Sequence, residues 1–253
     1  MRKVIISTMH RGYNYGSALQ VFALQKAIEN VGFAVEVLDY IPVRCNFKKN
    51  ITELLKKFFK GSIYANARAL MLLVLYESTY SKFFRRNVNL THSYYSSKEI
   101  EKNLQEYDVY MTGSDQVWNT FYNHGIDKLF YLDFAPEHKK RVAYAASFGM
   151  SEIDSQYKEE TKRLLSKYSV ISVRESSAID LLKSIGINNG VHVLDPTFLL
   201  SKEDWKQVVG RYLPQKKEKY LLIYSVEPNF QNVIACARKI ADKLDLKVYY
   251  AGW

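Results

Sequence analysis

The chain has 253 residues, 47% of them hydrophobic and 14% aromatic, enough for one large domain or two modest ones and too apolar for a disordered chain. Lys and Arg number 36 against 26 Asp and Glu, a formal charge of +10, which fits either an anionic partner or a surface charged for solubility. The basic residues are scattered pairs such as Lys48-Lys49, Arg85-Arg86 and Lys216-Lys217, with no recognition-helix or RNA-motif signature, which argues against nucleic acid.

Only Cys45 and Cys236 are present, far apart and in no metal spacing, as expected of a reducing compartment. With a strand beginning at Lys3, no signal peptide is expected. The longest apolar run, Ala69 to Tyr76, is far shorter than the roughly 20 residues that span a bilayer. The expectation is a soluble, cytoplasmic protein.

The first element, KVIISTM (3–9), is a continuous apolar strand of the kind buried on both faces. A polar glycine loop, HRGYNYGS (10–17), leads into ALQVFALQKAIENVG, whose broad helical face is closed by Gly32. AVEVLDY (34–40) is the next strand, so residues 3–40 read as one βαβ unit with a right-handed crossover. Residues 41–100 read as an insertion of two amphipathic, basic, aromatic helices, ITELLKKFFKG and ANARALMLLVLYESTYSKFFRRN. Such helices either touch a membrane surface or make ordinary core contacts, and core contacts are the commoner use of this pattern.

The α/β rhythm then resumes. Strands are expected at 107–113, 141–149, 170–175 and 191–195, with helices over EETKRLLSKY, SSAIDLLKSIG and KEDWKQVVGRY, the last N-capped by Ser201. This alternation specifies an α/β fold with a mainly parallel sheet covered by helices on both faces. PQKKEK (214–219) reads as a linker, separating a domain over 1–213 from a second α/β unit over 219–253. One βαβ unit has little surface against which to bury its strands, so the second domain is expected to be truncated or covered by another chain.

In an open parallel sheet, ligands bind beyond the carboxyl ends of the strands. The polar clusters all follow strand ends: Gly12, Asn14, Gly16 and Ser17; then Ser114, Asp115, Gln116 and Asn119; then Ser147 and Gly149; then Arg174 and Glu175; then Asp195. They are therefore expected to share one rim. GYNYGS is neither a dinucleotide fingerprint nor a Walker A loop; it is either an anion-receiving helix N-terminus or a tight turn that needs glycine. Asp115 and Gln116 suit sugar hydroxyls, though Asp115 suits a local cap equally, and Trp118 suits the core better than a stacking platform. Arg174 suits two-pronged capture of a phosphate or carboxylate, against an internal ion pair with Glu175 or Asp195. His10 is the one His at the rim and the candidate acid. Neither a metal set nor a Ser-His-Asp triad is legible.

Five segments in register make the reading specific: NYGSALQVFALQKAIENVGFAVEVLDY, YDVYMTGSDQVWN, KKRVAYAASFG, VISVRESSAIDLLKSIG and VLDPTFLLSKEDW. Together they resemble the polysaccharide pyruvyl transferase family over nearly all of residues 1–210, outside the insertion. The resemblance implies two facing Rossmann-like domains in the GT-B arrangement, phosphoenolpyruvate as donor, a sugar or lipid-linked oligosaccharide as acceptor, and a pyruvate ketal as product. No cofactor or metal is implied. Arg174 matches the family's donor-gripping Arg, with Gly16 and Ser17 beside the donor. Asn14, Ser114, Asp115, Gln116, Asn119, Ser147 and Glu175 would line the cleft. The family continues through a Ser-Phe-His-Gly-like motif whose His is a candidate acid; this sequence has none, so this chain alone is expected to be catalytically incomplete. The rival readings are a GT-B glycosyltransferase using a nucleotide sugar, and a non-catalytic module that binds an anionic glycan or a membrane surface, the latter at the inner membrane face through the basic helices.

Overall fold

The structure is a computed structural model that describes residues 1–12, 14–42, 45–57, 63–104, 106–209, 218–225 and 231–252. It divides into two compact units, Met1–Trp205 and Lys206–Trp253. Most of the expected linker, and the Lys216-Lys217 pair, lie outside the described residues.

The first unit has a Rossmann-like α/β fold. Its six strands are β1 (Lys3–Ser7), β2 (Ala34–Val37), β3 (Val109–Thr112), β4 (Lys140–Ala146), β5 (Val170–Val173) and β6 (Gly190–His192). They form one parallel sheet in the order β2-β1-β3-β4-β5-β6. Strand β1 forms where it does because Val4, Ile5 and Ile6 are all buried, and burying a side chain of this kind contributes about 1.5–3 kcal/mol. The strands stop one to three residues before the expected runs do. At their ends Thr8 and Ser147 bond to loop backbone, and Ser114 bonds to the side chains of Thr8 and Asp195, instead of to the ladder.

Helix α1 (Tyr15–Asn30) makes the crossover from β1 to β2. The chain then reverses direction across the sheet to reach β3. This reversal between β1 and β3 opens a crevice at the carboxyl ends of those two strands, where α/β sheets bind ligands. Later helices are α5 (Ser155–Leu165), α6 (Ser177–Ser184) and α7 (Lys202–Val209). Ser201 caps α7 as expected: its Oγ accepts from Asp204 N at 3.2 Å, and Asp204 Oδ2 accepts from Ser201 N at 2.9 Å. Strand β4 carries a register shift between Ala143 and Ala146, with buried Ala145 at φ 50°. Such a bulge bends a strand near its end and re-aims the loop beyond it.

The insertion forms α2 (Phe47–Lys57), α3 (Ile63–Asn87) and α4 (Ser97–Asn103). One part of α3 serves the core and another part does not. Tyr80 and Phe84 of α3 are core residues, with Phe84 edge-on to His10 and Phe83 edge-on to Phe22 of α1. Ile63, Tyr64, Met71, Val74 and Leu75 are exposed. The returning segment runs along β2, with bridges Val37–Leu90 and Tyr40–Tyr94, and so covers an edge that would otherwise present unpaired backbone.

The second unit is one βαβ unit: β7 (Tyr220–Ser225), α8 (Gln231–Leu244) and β8 (Lys247–Gly252), with the two strands parallel. Among its described residues Ile223, Ala237 and Ala241 are the buried apolar ones, while Leu222, Tyr224, Val233 and Leu244 stay exposed.

Candidate active site

The β1 and β3 loops meet across the crevice. Thr8 Oγ1 donates to Ser114 O at 2.8 Å, and Gln20 Nε2 of α1 sits 3.1 Å from Thr8 Oγ1 and 3.1 Å from Ser17 O. Asn14 caps α1 by accepting from Ser17 N at 3.1 Å, and Ser17 Oγ donates to Asp115 Oδ2. Gly113 lets β3 close on β1, since a β-carbon there would lie 2.9 Å from Thr8 Cβ and 3.2 Å from Ile6 Cγ2.

Asp115 has φ 79°, a conformation that costs a non-glycine residue about 1–3 kcal/mol unless its surroundings hold it. They do. Gln116 N donates to Asp115 Oδ1 at 2.8 Å, Ser17 bonds Oδ2, and Ser147 N donates to Asp115 O at 3.0 Å. Three residues on, Trp118 anchors the same loop in the core. It is 1% exposed, stacked on Tyr131 at 5.8 Å and tilted on Phe148 at 5.2 Å, and its Nε1 donates to Phe130 O. The alternation of polar and aromatic residues in GSDQVWN is thus a rigid turn: polar groups hold the rim and Trp118 fixes it from below.

The β4 loop is tied to this turn. Asn119 Nδ2 donates to Gln116 Oε1 at 2.8 Å and reaches Gly149 O at 3.3 Å. Gly149 has φ 60°, and a β-carbon there would lie 2.5 Å from Gln116 Cδ. Only glycine lets the two loops approach so closely.

Arg174, at the end of β5, links three strand ends. Its Nε donates to Glu175 Oε1 at 2.9 Å, and its Nη1 reaches Asp195 Oδ2 at 3.2 Å and Ser114 Oγ at 3.5 Å. Its Nη2 has no hydrogen-bond partner among the described residues. Burial works against the guanidinium charge, but the Glu175 bond, the Asp115 and Glu175 charges and the Asp195 bond outweigh it and hold the proton more firmly than usual. Burial likewise raises the Asp195 carboxyl, and bonds from Thr197, Ser114 and Arg174 outweigh it, leaving the group below the ordinary aspartate range. Glu175 Oε2 is buried with no partner. A buried acceptor without a donor is costly, and a polar guest would relieve it.

The expected site residues fall into two groups. Asn14, Gly16, Asp115, Gln116, Arg174 and Glu175 keep exposed surface at the rim. Ser17, Ser114, Asn119 and Ser147 are buried and internally bonded, so they shape the loops and do not face the cleft. Both ion pairs considered for Arg174 are present, and Asp195 joins the cluster as a central member.

His10 is placed differently from the expectation of an acid at the rim. Its side chain has no exposed surface; Nδ1 lies 3.1 Å from Thr8 O and Nε2 lies 3.0 Å from Asp39 Oδ1. Both ring nitrogens face acceptors inside the protein, which leaves neither for a ligand. Arg11 forks onto the same carboxylate, and Ser93 Oγ donates to it at 2.5 Å. The sequence signal for this cluster was Asp39, a lone carboxylate at the end of an apolar strand that needs a buried partner.

None of the curated proteins compared with the chain matches it. A family model described as polysaccharide pyruvyl transferase matches residues 14–251, a span that takes in Asn14, Gly16 and Ser17 of the β1 loop, the GSDQVWN turn, Arg174 and the second unit to residue 251. The chain therefore belongs to the polysaccharide pyruvyl transferase family, a family of enzymes.

Proposed function

We propose that the chain transfers the pyruvyl group of phosphoenolpyruvate to a sugar and forms a cyclic ketal, with the β1/β3/β5 rim as one wall of a GT-B-like cleft. The observation that carries this reading is Arg174: a guanidinium fixed by two carboxylates, with Nη2 unbonded, beside the unpartnered Glu175 Oε2. The first would meet the donor's carboxylate or phosphate and the second an acceptor hydroxyl.

In this reaction a proton adds to the methylene carbon of phosphoenolpyruvate, and C2 becomes cation-like. One sugar hydroxyl adds to C2 and loses its proton. The C2–O bond to phosphate breaks, and a second hydroxyl of the same sugar adds to C2, loses its proton and closes the ring. Fixed charge aimed at the departing phosphate contributes several kcal/mol to such a step. Arg174 already shares its charge with Asp115, Glu175 and Asp195, so the donor's phosphate requires further cationic groups. No cofactor enters the scheme. Calorimetric titration with phosphoenolpyruvate and with nucleotide sugars tests it. Heat from phosphoenolpyruvate alone supports the reading, whereas saturable binding of a nucleotide sugar alone would favour glycosyl transfer.

A lipid-linked acceptor in the cytoplasm, at the inner membrane face, is supported by α3. Ile63, Ala67, Met71, Val74 and Leu75 recur at helical spacing on one exposed face, which continues into Lys82, Arg85 and Arg86. The helix's one acidic residue, Glu77, bonds Ser81 and lies off that face. Among the described residues no helix is long and apolar enough to cross a membrane. Sedimentation with vesicles of phosphatidylglycerol and phosphatidylcholine should capture the protein. Met71→Glu with Val74→Glu should release it, and equal capture of parent and variant would refute the contact.

A further inference from the structure

We infer that the cavity between the β3 and β4 loops is the seat of the acceptor glycan, binding a neutral oligosaccharide through the sugar units that flank the reacting one. This rests on the pyruvyl-transfer reading of the neighbouring rim and extends it to a second, separate surface. The cavity has a volume of about 980 Å³. Ligand pockets run to about 1,000 Å³, so this one is sized for several sugar rings and not for a three-carbon donor.

Its walls come from two loops that the rim already binds together. One runs from Thr120 to Gly125 after the GSDQVWN turn, and the other from Met150 to Asp154 after Gly149, continuing into the first turn of α5 through Lys158. Asn119 joins them, because its Oδ1 accepts from Tyr122 N at 2.9 Å while its Nδ2 reaches Gly149 O. Tyr122, one of the lining residues, also approaches the β1 loop: a β-carbon at Gly12 would lie 3.7 Å from Tyr122 Oη. A chain of sugars lying here would thus lead directly to the crevice.

The lining has the chemistry of carbohydrate recognition. Phe121 is 88% exposed, a large ring held out in solvent by a loop that is otherwise tied down. Tyr122 and Tyr157 add two more rings, each with a phenol that exchanges hydrogen bonds with hydroxyls. Such flat apolar faces suit the C–H faces of a pyranose, and Glu152 supplies an exposed carboxylate for its hydroxyls. Asp154 is already spent on capping α5, where it accepts from Gln156 N at 3.0 Å. Lys158 offsets Glu152, so the cavity lacks the excess positive charge that a phosphate, a nucleic acid or an anionic lipid would demand.

Saturation-transfer NMR with chitotriose, mannotriose and galactotriose, run beside calorimetry with phosphoenolpyruvate, tests the assignment. The parent should bind at least one trisaccharide. Phe121→Ala with Glu152→Ala should weaken that binding about tenfold or more, with melting temperature and phosphoenolpyruvate affinity unchanged, and Phe121→Trp should restore it. Two outcomes overturn the proposal: all three trisaccharides fail to bind the parent, or the double variant binds them as the parent does. A parent that binds a trisaccharide through Phe121 but shows no heat with phosphoenolpyruvate would sink the donor reading and leave the glycan cavity standing.

Discussion

Arg174→Ala should lower kcat/KM with phosphoenolpyruvate by about 10²–10³-fold, the usual loss when one preorganised donor to a developing anion is removed. The expectation follows from how the guanidinium is held. Glu175 fixes Nε and Asp195 fixes Nη1, so the plane of the group is set before any guest arrives and little ordering entropy remains to be lost on binding. Arg174→Lys should recover only a small part of the rate. Lysine restores the charge but not the rigid fork, and one ammonium cannot serve Glu175, Asp195 and a guest in the same geometry. Asp195 keeps its bonds from Thr197 and Ser114 when Arg174 is removed, so both variants should fold. Steady-state phosphate release together with thermal melts separates the effects. A fully active Arg174→Ala protein, with a parent-like melting curve, would remove Arg174 from donor binding.

Asp39→Ala should give the largest loss of stability, about 3–5 kcal/mol, because removing one partner of a buried ion pair strands the other. Here it strands two, the fully buried His10 and the mostly buried Arg11, and it takes the acceptor away from Ser93. That is a large fraction of the roughly 5–15 kcal/mol that holds a typical protein folded. The same carboxylate makes stability pH-dependent. Burial would raise its pKa, but the His10 and Arg11 bonds outweigh burial and hold the folded-state value far below the ordinary 3.8. A depressed folded-state pKa means that the unfolded chain takes up the proton first. The stabilisation is therefore complete above that ordinary value and drains away as the pH falls below it. Urea melts at pH 7 and at decreasing acid pH should show a steeper loss for the parent than for Asp39→Asn. Parallel curves, or a parent-like Asp39→Ala midpoint at pH 7, would show that the cluster adds nothing.

The strand and helix order was legible because buried parallel strands are nearly uniform apolar runs, and KVIIS, VYMT and VISV stand out as such. The rim was legible for the same reason, since polar residues that follow such runs must leave the sheet. Which of those residues face the cleft was not legible. Ser114 and Asp115 are adjacent, yet Ser114 is buried beneath Arg174 while Asp115 keeps exposed surface; a positive φ at Asp115, set by loops from three strands, decides this. His10 misled for a similar reason. A position in a polar loop at a strand end suggests exposure, whereas Asp39, 29 residues later, draws the ring inward. Trp118 was readable as core, but its role in holding the polar turn emerges only with Tyr131, Phe148 and Tyr168 packed around it.

Crystals of the protein soaked with phosphoenolpyruvate test whether this rim holds the donor through Arg174. The expected result is ligand density with a carboxylate or phosphate oxygen within hydrogen-bonding distance of Arg174 Nη2, at the mouth of the β1/β3 crevice. Phosphoenolpyruvate bound elsewhere, with the Arg174–Asp195–Glu175 cluster unchanged and unoccupied, would contradict it.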